Sequence, residues 1–544
     1  MASFVQLVKI NTCDDPTDHE AKLTVCNNLA SKLYKKRNDK IVVFCSLILV
    51  LVVSSCLAVT EYSGFNKPII FGDFEAQHPV LTAYHSWILG KIAQKFNSSW
   101  VELDKSRGLE QTENLLFMRA SVIVTLLLIY VPALILLINQ NEGGQSKKSF
   151  LQLTQALLFP GLLFIDCSHF QYNHFSLGFF LLAVYAFDKN RLCLGSALFV
   201  LALNHKQMEL YHALPIAVFL LSRSVKKVPN IFEAIVGSVW NISKLAFVVL
   251  FTFSILWAPF LVPDPSVALQ VVKRIFPVYR GLFEDKVANF WCCFSIFIKF
   301  KQVYSTEKLI KMSTFLVLLT TSPALYCLFS KPNGRNFRIC LVVCSLCFFL
   351  FSFQVHEKSI LLASIPALLL LDDKTLGNSI GIFVSICCFS RKMRVCVLGG
   401  PLEKNLQIQS SRMIKESLDY AKKQESYKQK LLALNRPLFP LCLKDGVPEI
   451  LPFFIFYYLF NAWMTKDKFK NKLENYFGYS TFILLLIICL LNIFVLPPKR
   501  YPDLFSLFNS IICFINFFIF YFYLIIELIN CSIKGGGGKE RKEE

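Results

Sequence analysis

Long apolar runs recur along this chain, and the charged residues crowd into the stretches between them. A helix needs ~20 mostly apolar residues to cross a bilayer, where its backbone N–H and C=O groups must be satisfied within the segment itself. Residues 41–60, 120–139 and 507–530 reach that length. Shorter runs lie at 151–165, 176–187, 191–203, 212–222, 245–262, 313–329, 338–354, 359–371, 378–389, 448–464 and 479–496. Hydrophobic residues make up 54% of the 544 positions and charged residues only 17%, against about 25% charged in soluble domains. Disordered proteins, secreted disulfide scaffolds and most soluble enzymes are excluded. The expected fold is all-α, a polytopic membrane protein with about 14 transmembrane helices and both termini cytoplasmic.

The net charge of +20 comes from 57 basic against 37 acidic residues. In a membrane protein such an excess belongs to short cytoplasmic loops, so no nucleic-acid partner is expected. Lys35, Lys36, Arg37 and Lys40 hold the start of the first run inside, and residues 61–119 then lie outside. Asn97-Ser98-Ser99 in that segment is a glycosylation sequon and agrees with this orientation. The run 290–300 holds 11 residues, including Lys299, and reads as interfacial or re-entrant. The 19 Cys are scattered through apolar runs as packing residues, and no metal site is expected. The chain divides into a cytoplasmic segment 1–40, a transmembrane module 41–371, an atypical insertion 372–447 with a basic amphipathic stretch, C-terminal helices 448–531 and a charged tail 532–544.

Five polar clusters fall on one side of this threading. They are 71–77 with Asp73 and Glu75, 166–173 with Asp166 and Gln171, 206–212 with Lys206 and Glu209, 273–286 with Arg274 and Arg280, and 355–358 with His356, Glu357 and Lys358. Ionisable residues beside apolar runs are costly and often functional, although solvated loop charges are the plain alternative. The acids could serve as a general base and the cations could hold a phosphate. No P-loop, GxSxG or HExxH is present. The residues alone leave two readings, an enzyme working at the membrane surface or a transporter with an external gate.

An ordered set of strings narrows this. GDFEAQ (72–77), LTAYHSW (81–87), SRG (106–108), LFMR (116–119), HFQYN (169–173), KQMELYH (206–212), RIFP with RGLFEDKVANFWC (274–292) and FQVHEKSILL (353–362) occur in sequence. The chain resembles the ALG glucosyltransferases of N-glycan precursor assembly over about 41–371 and again near 439–445. The resemblance implies a GT-C type helical bundle in the endoplasmic reticulum membrane, with lumenal loops and a lumenal active site. It implies a dolichyl phosphate glucose donor, a lipid-linked nine-mannose oligosaccharide acceptor, and an α-1,3 bond made with inversion. No cofactor or metal is implied. Asp73 matches the family's general base and Glu75 is the second choice. His356, Lys358, Arg274 and Arg280 would hold the phosphate, and Glu357, Gln171, Tyr84 and His85 complete the substrate-binding set. The closest branch by these motifs adds the first glucose. The alternatives are the branch adding the second, or an inactive homologue, because His78-Pro79-Val80 stands where the family carries an acidic LDYPP-like motif.

Overall fold

The computed structural model describes residues 79–388, except 103–105, 107–110, 139–145, 169–170, 227, 263–264, 276–286 and 374. It also describes 455, 457–459 and 472–534, except 496–497, 499–500 and 502–503. The expected first span at 41–60, nearly all of the run at 448–464, most of the basic insertion and the end of the charged tail lie outside the described residues.

Every described element is helical. In chain order they are α1 (Val80–Phe96), α2 (Thr112–Thr125), α3 (Val131–Ile138), α4 (Ser146–Leu157), α5 (Pro160–Leu163), α6 (Asn173–Asp188), α7 (Leu192–His205) and α8 (Leu210–Ser224). Then follow α9 (Ile231–Leu261), α10 (Pro265–Ile275), α11 (Phe290–Phe294), α12 (Phe300–Val303), α13 (Thr306–Ser330), α14 (Gly334–Phe351), α15 (Ile360–Leu368), α16 (Gly377–Cys387), α17 (Lys472–Phe494) and α18 (Leu504–Lys534). π-helical turns at Leu126–Tyr130 and Phe164–Ser168 follow α2 and α5.

Five helices are long and apolar enough to cross a membrane: Thr112–Ile138, Ile231–Leu261, Thr306–Ser330, Gly334–Phe351 and Leu504–Ile533. The other apolar runs within the described residues also coincide with helices, several of them short. The structure supports a polytopic helical membrane protein, and the described residues alone do not reach the expected span count. In the 290–300 run, α11 has five residues and α12 follows it with four, far below the length a crossing needs.

Local chemistry sets the helix starts. Asn230, Asn289, Ser305 and Asn333 each accept a backbone N–H from the first turn of α9, α11, α13 and α14, satisfying donors that the helix itself leaves over. α14 is the central post. It packs against α8, α11, α13, α15 and α18, and nearly all of its residues are buried. α9 is its opposite, 31 residues with none buried, leaning on α7. Its apolar surface suits lipid rather than water.

The two ends of the bundle differ. At one, Arg338 pairs with Asp188 at 2.5 Å and Arg335 with Asp373 at 2.6 Å and Glu527 at 3.0 Å. Lys331 donates there to the Cys531 carbonyl at 3.2 Å. At the other, α6, α8 and α15 begin while α7 and α14 end, and the Trp291 indole N–H closes on the Phe351 carbonyl at 2.8 Å. Cys344 and Cys347 stand at C-x-x-C spacing, but both are buried in the apolar middle of α14. They read as packing residues, and no His/Cys/Asp/Glu group suited to a metal occurs among the described residues.

Candidate active site

The end where α6 and α8 begin carries a connected polar network. Asp166 sits in the second π turn and is fully buried. Its Oδ2 accepts the His174 backbone N–H at 2.6 Å, so the carboxylate caps the positive end of α6 from outside the helix. The same oxygen takes the His174 Nδ1 at 2.7 Å, and Oδ1 accepts Asn173 Nδ2 at 2.6 Å. His174 Nε2 lies 2.7 Å from the Thr125 hydroxyl, at the end of α2. One turn earlier the Ser121 hydroxyl lies 2.6 Å from the Tyr172 hydroxyl.

Lys206 extends this network. It caps the C-terminal end of α7, where the helix dipole favours a cation. Its Nζ donates to Asn173 Oδ1 at 2.7 Å. An ammonium only donates, so this bond fixes the Asn173 amide orientation and aims its Nδ2 at Asp166. Burial pushes the Lys206 pKa down, while Asp166 and Glu209 push it up.

Glu209 builds the adjoining arm. Its Oε1 accepts from Ser176 at 2.9 Å and its Oε2 lies 2.7 Å from His212 Nδ1. His212 Nε2 faces the Leu362 carbonyl at 2.8 Å. A carbonyl only accepts, so Nε2 carries hydrogen. A second proton must then lie between Nδ1 and Oε2, and the Glu209–His212 pair is neutral as a unit. Phe180 stacks on the His212 ring at 4.0 Å. This arm ties the start of α8 to α15, which follows the 355–358 cluster directly.

That cluster forms a single turn before α15. Gln354 enters it at φ 61, a left-handed conformation that bends the chain sharply after α14. The His356 side chain accepts the Lys358 backbone N–H at 3.2 Å. His356 and Lys358 are half-buried and Glu357 is buried. Tyr211 lies 3.5 Å from the Ser352 hydroxyl, joining this turn to the Lys206–His212 segment.

α1 lies against the network. The Thr82 hydroxyl donates to the His205 carbonyl, immediately before Lys206. Tyr84 donates to the Leu256 carbonyl at 2.9 Å and fastens α1 to α9. His85 stacks on Phe175 at 4.6 Å and meets the Tyr172 edge at 4.7 Å. Burial holds its pKa down at about 4, with His174 adding to the shift. Burial also pushes the Tyr172 hydroxyl up to about 12.

Of the residues expected from the sequence, Gln171 meets Asn173 and His85 meets His205, Tyr84 turns instead to α9, and His356, Glu357 and Lys358 stand on the neighbouring turn. Gln171 is half-buried and accepts from Asn173 at 3.2 Å. Arg274 lies near the end of α10. Asp73, Glu75 and Arg280 lie outside the described residues. Sequence reasoning passed over Ser121, Thr125, His174 and Ser176. Thr125 and Ser176 sit inside apolar runs, and His174 is one position beyond the cluster it completes.

Comparison with known proteins adds a family. The ALG6, ALG8 glycosyltransferase family matches residues 73–393. A Caenorhabditis elegans protein called a probable dolichyl pyrophosphate Man9GlcNAc2 alpha-1,3-glucosyltransferase is 35% identical over 518 residues, covering 90% of this chain and 89% of its own. The Gallus gallus and Mus musculus dolichyl pyrophosphate Man9GlcNAc2 alpha-1,3-glucosyltransferases are each 35% identical. These alignments cover 88% and 91% of this chain and 96% and 98% of the relatives.

Proposed function

The chain belongs to the ALG6, ALG8 glycosyltransferase family, and from that premise we infer that it transfers glucose to a Man9GlcNAc2 oligosaccharide carried on dolichyl diphosphate, forming an α-1,3 bond. The observation that carries this reading is the near-complete alignment, 91% of this chain against 98% of the mouse glucosyltransferase.

We further propose that the donor is dolichyl phosphate glucose and that the reaction takes place on the lumenal side of the endoplasmic reticulum membrane. The positive-inside trend supports this orientation, since Lys331, Arg335 and Arg338 lie at the end opposite the polar network. About fourteen spans, with the transferase module over 41–371, remain the organisation we propose.

Asp73 is assigned as general base. It takes the proton of the mannose hydroxyl as that oxygen attacks the anomeric carbon. The bond from that carbon to the phosphate oxygen breaks on the opposite face, and dolichyl phosphate leaves with the electron pair. A β-linked donor therefore gives an α bond. Glu75 is the alternative base. The leaving phosphate needs positive hydrogen-bond donors more than a proton, a role assigned to His356, Lys358, Arg274 and Arg280. Glu357 and Gln171 are assigned to substrate binding. Tyr84 and His85 are assigned there through α1, which they fasten beside the network a few residues after Asp73.

The test is to express the chain in cells lacking the endogenous first-glucose enzyme and to weigh the lipid-linked oligosaccharide. A gain of one hexose is expected, and Asp73→Asn should lower the rate by about 10² to 10⁴. No gain, with the protein present in the membrane, would defeat the assignment and favour the inactive-homologue reading.

A further inference from the structure

Lys206 is a cation without an ionic partner. Among the described residues it forms no ion pair, and its one hydrogen bond goes to the neutral amide of Asn173 at 2.7 Å. Two cations at the opposite end of the bundle are paired differently. Arg335 and Arg338 each hold a carboxylate.

The two acids nearest Lys206 are already occupied. Asp166 accepts three hydrogen bonds, from Asn173 and from both nitrogens of His174 that face it. Glu209 accepts from Ser176 and meets His212 Nδ1, so both acids favour the Lys206 charge while neither forms an ion pair with it. Lys206 is nonetheless half-buried rather than sealed. Its ammonium lies among packed groups. Burying a charge without a counterion is costly, and such a cost is offset when the counterion is a ligand.

The position fits a ligand as well. Lys206 follows directly on the His205 carbonyl that α1 grips through Thr82. Five residues on, Tyr211 reaches the turn that carries His356 and Lys358, through Ser352 at 3.5 Å. Lys206 thus stands between the two segments to which transfer chemistry is assigned.

We propose that Lys206 binds the phosphate of a lipid-linked sugar, through the N–H donors that it does not give to Asn173. The proposal rests on the glucosyl-transfer reading for the identity of that lipid. Asp166 and Asn173 are positioning residues. They fix the direction in which the ammonium points and do not touch the ligand. Two phosphates are available to such a site, the donor's phosphodiester and the acceptor's diphosphate, and their chemistry is shared.

The experiment uses the full chain purified in detergent, as wild type, Lys206→Met and Lys206→Arg. Thermal melting is read with and without added dolichyl phosphate, and KM is read separately for dolichyl phosphate glucose and for the lipid-linked oligosaccharide. Lys206→Met should melt modestly lower than wild type without ligand, because it leaves the buried Asn173 carbonyl oxygen without its donor. It should lose the stabilisation by dolichyl phosphate and raise the donor KM about 10- to 100-fold, with Lys206→Arg recovering most of the loss. A rise in the acceptor KM alone would assign the site to the diphosphate. Unchanged KM values with undiminished stabilisation by dolichyl phosphate would overturn the proposal, as would a lower melting point with unchanged KM, the mark of a purely structural lysine. A wild type that transfers no glucose but is stabilised by dolichyl phosphate through Lys206 would defeat the functional reading and leave this one standing. A wild type that does neither defeats both.

Discussion

Replacing Asp166 by Asn should disable the site through a hydrogen-bond conflict that begins with one atom. Asp166 accepts on both oxygens, Asn173 Nδ2 on one and two His174 nitrogens on the other, at 2.6 to 2.7 Å. An Asn side chain keeps one accepting oxygen. If that oxygen serves His174, the new NH2 faces the NH2 of Asn173. Asn173 can relieve this only by flipping its amide, and the flip turns its NH2 on the donor-only ammonium of Lys206. Every orientation therefore leaves two donors facing each other. Losing one charge-assisted bond costs ~1.5–3 kcal/mol, or a factor of about 10 to 100 at 1.4 kcal/mol per tenfold. Asp166→Ala leaves all three buried donors without their acceptor and should cost ~3–5 kcal/mol, a large share of ~5–15 kcal/mol of total stability. The assay is glucosyl transfer by purified protein, paired with thermal melting. The Asn variant should melt modestly lower and lose about 10- to 100-fold in kcat/KM for the donor, and the Ala variant should fail to accumulate as folded protein. An Asn variant equal to wild type in both readouts would refute the reasoning.

Three other outcomes are expected. A Cβ at Gly178 would come 2.7 Å from Ile129 Cγ2 and 3.2 Å from the Tyr130 Cα, so Gly178→Val should push α6 off the first π turn, stretch the His174–Thr125 contact and lower both melting temperature and transfer. Arg335→Ala should release α18 from Asp373 and Thr375 and cost ~1 kcal/mol, since the guanidinium is partly exposed. Burial raises the Asp373 pKa, but Arg335 and the Leu376 and Thr375 N–H groups outweigh it and hold the pKa below the usual range. This clasp's stabilisation is thus complete above the unfolded carboxylate pKa of ~3.9 and is lost as pH falls through the lower folded value, which pH-dependent melting of wild type against variant would show. His85 is held neutral with a pKa of about 4, below the ordinary 6.5. Its stabilisation is full above pH ~6.5 and lost as pH falls toward 4, so His85→Phe should keep the ring stack and flatten the melting profile across that window.

Hydropathy made the helices legible because lipid leaves the backbone so few options. It did not reveal where they break or extend. The run 151–165 looks continuous, yet Pro160 has no N–H to donate and opens a new helix, separating α5 from α4. α9 begins at Ile231, well before the apolar run at 245, because Asn230 caps it and Glu233 and Lys244 tolerate an exposed helical face. The clusters around Asp166 and Lys206 could be seen as polar islands. The bond joining them could not, since Asn173 and Lys206 meet only because α6 and α7 form a hairpin turned at Asn190, at φ 57. Thr125 was hidden by its apolar neighbours, and only the tertiary packing brings His174 to it.

The first π turn explains how one helix serves both core and site. Val122, Leu126, Tyr130, Leu134 and Ile138 are all buried at steps of four residues. An α-helix advances ~100° per residue, so each four-residue step overshoots by about 40°, and four such steps would carry the seam roughly 160° around the helix. A π turn holds more residues per turn and takes up part of that drift. The seam can then stay buried along its length, while Ser121 and Thr125, one position from it, stay turned toward Tyr172 and His174. Gly178 lies opposite Ile129 and Tyr130, where the absence of a side chain lets α6 approach the widened turn. The second π turn does a similar service for Asp166, which it places beyond α5 in reach of the first amides of α6. Both irregular turns thus border the same polar network. π turns are frequent at functional sites because they redirect a side chain without ending the helix, and here the redirected groups are those that support Lys206.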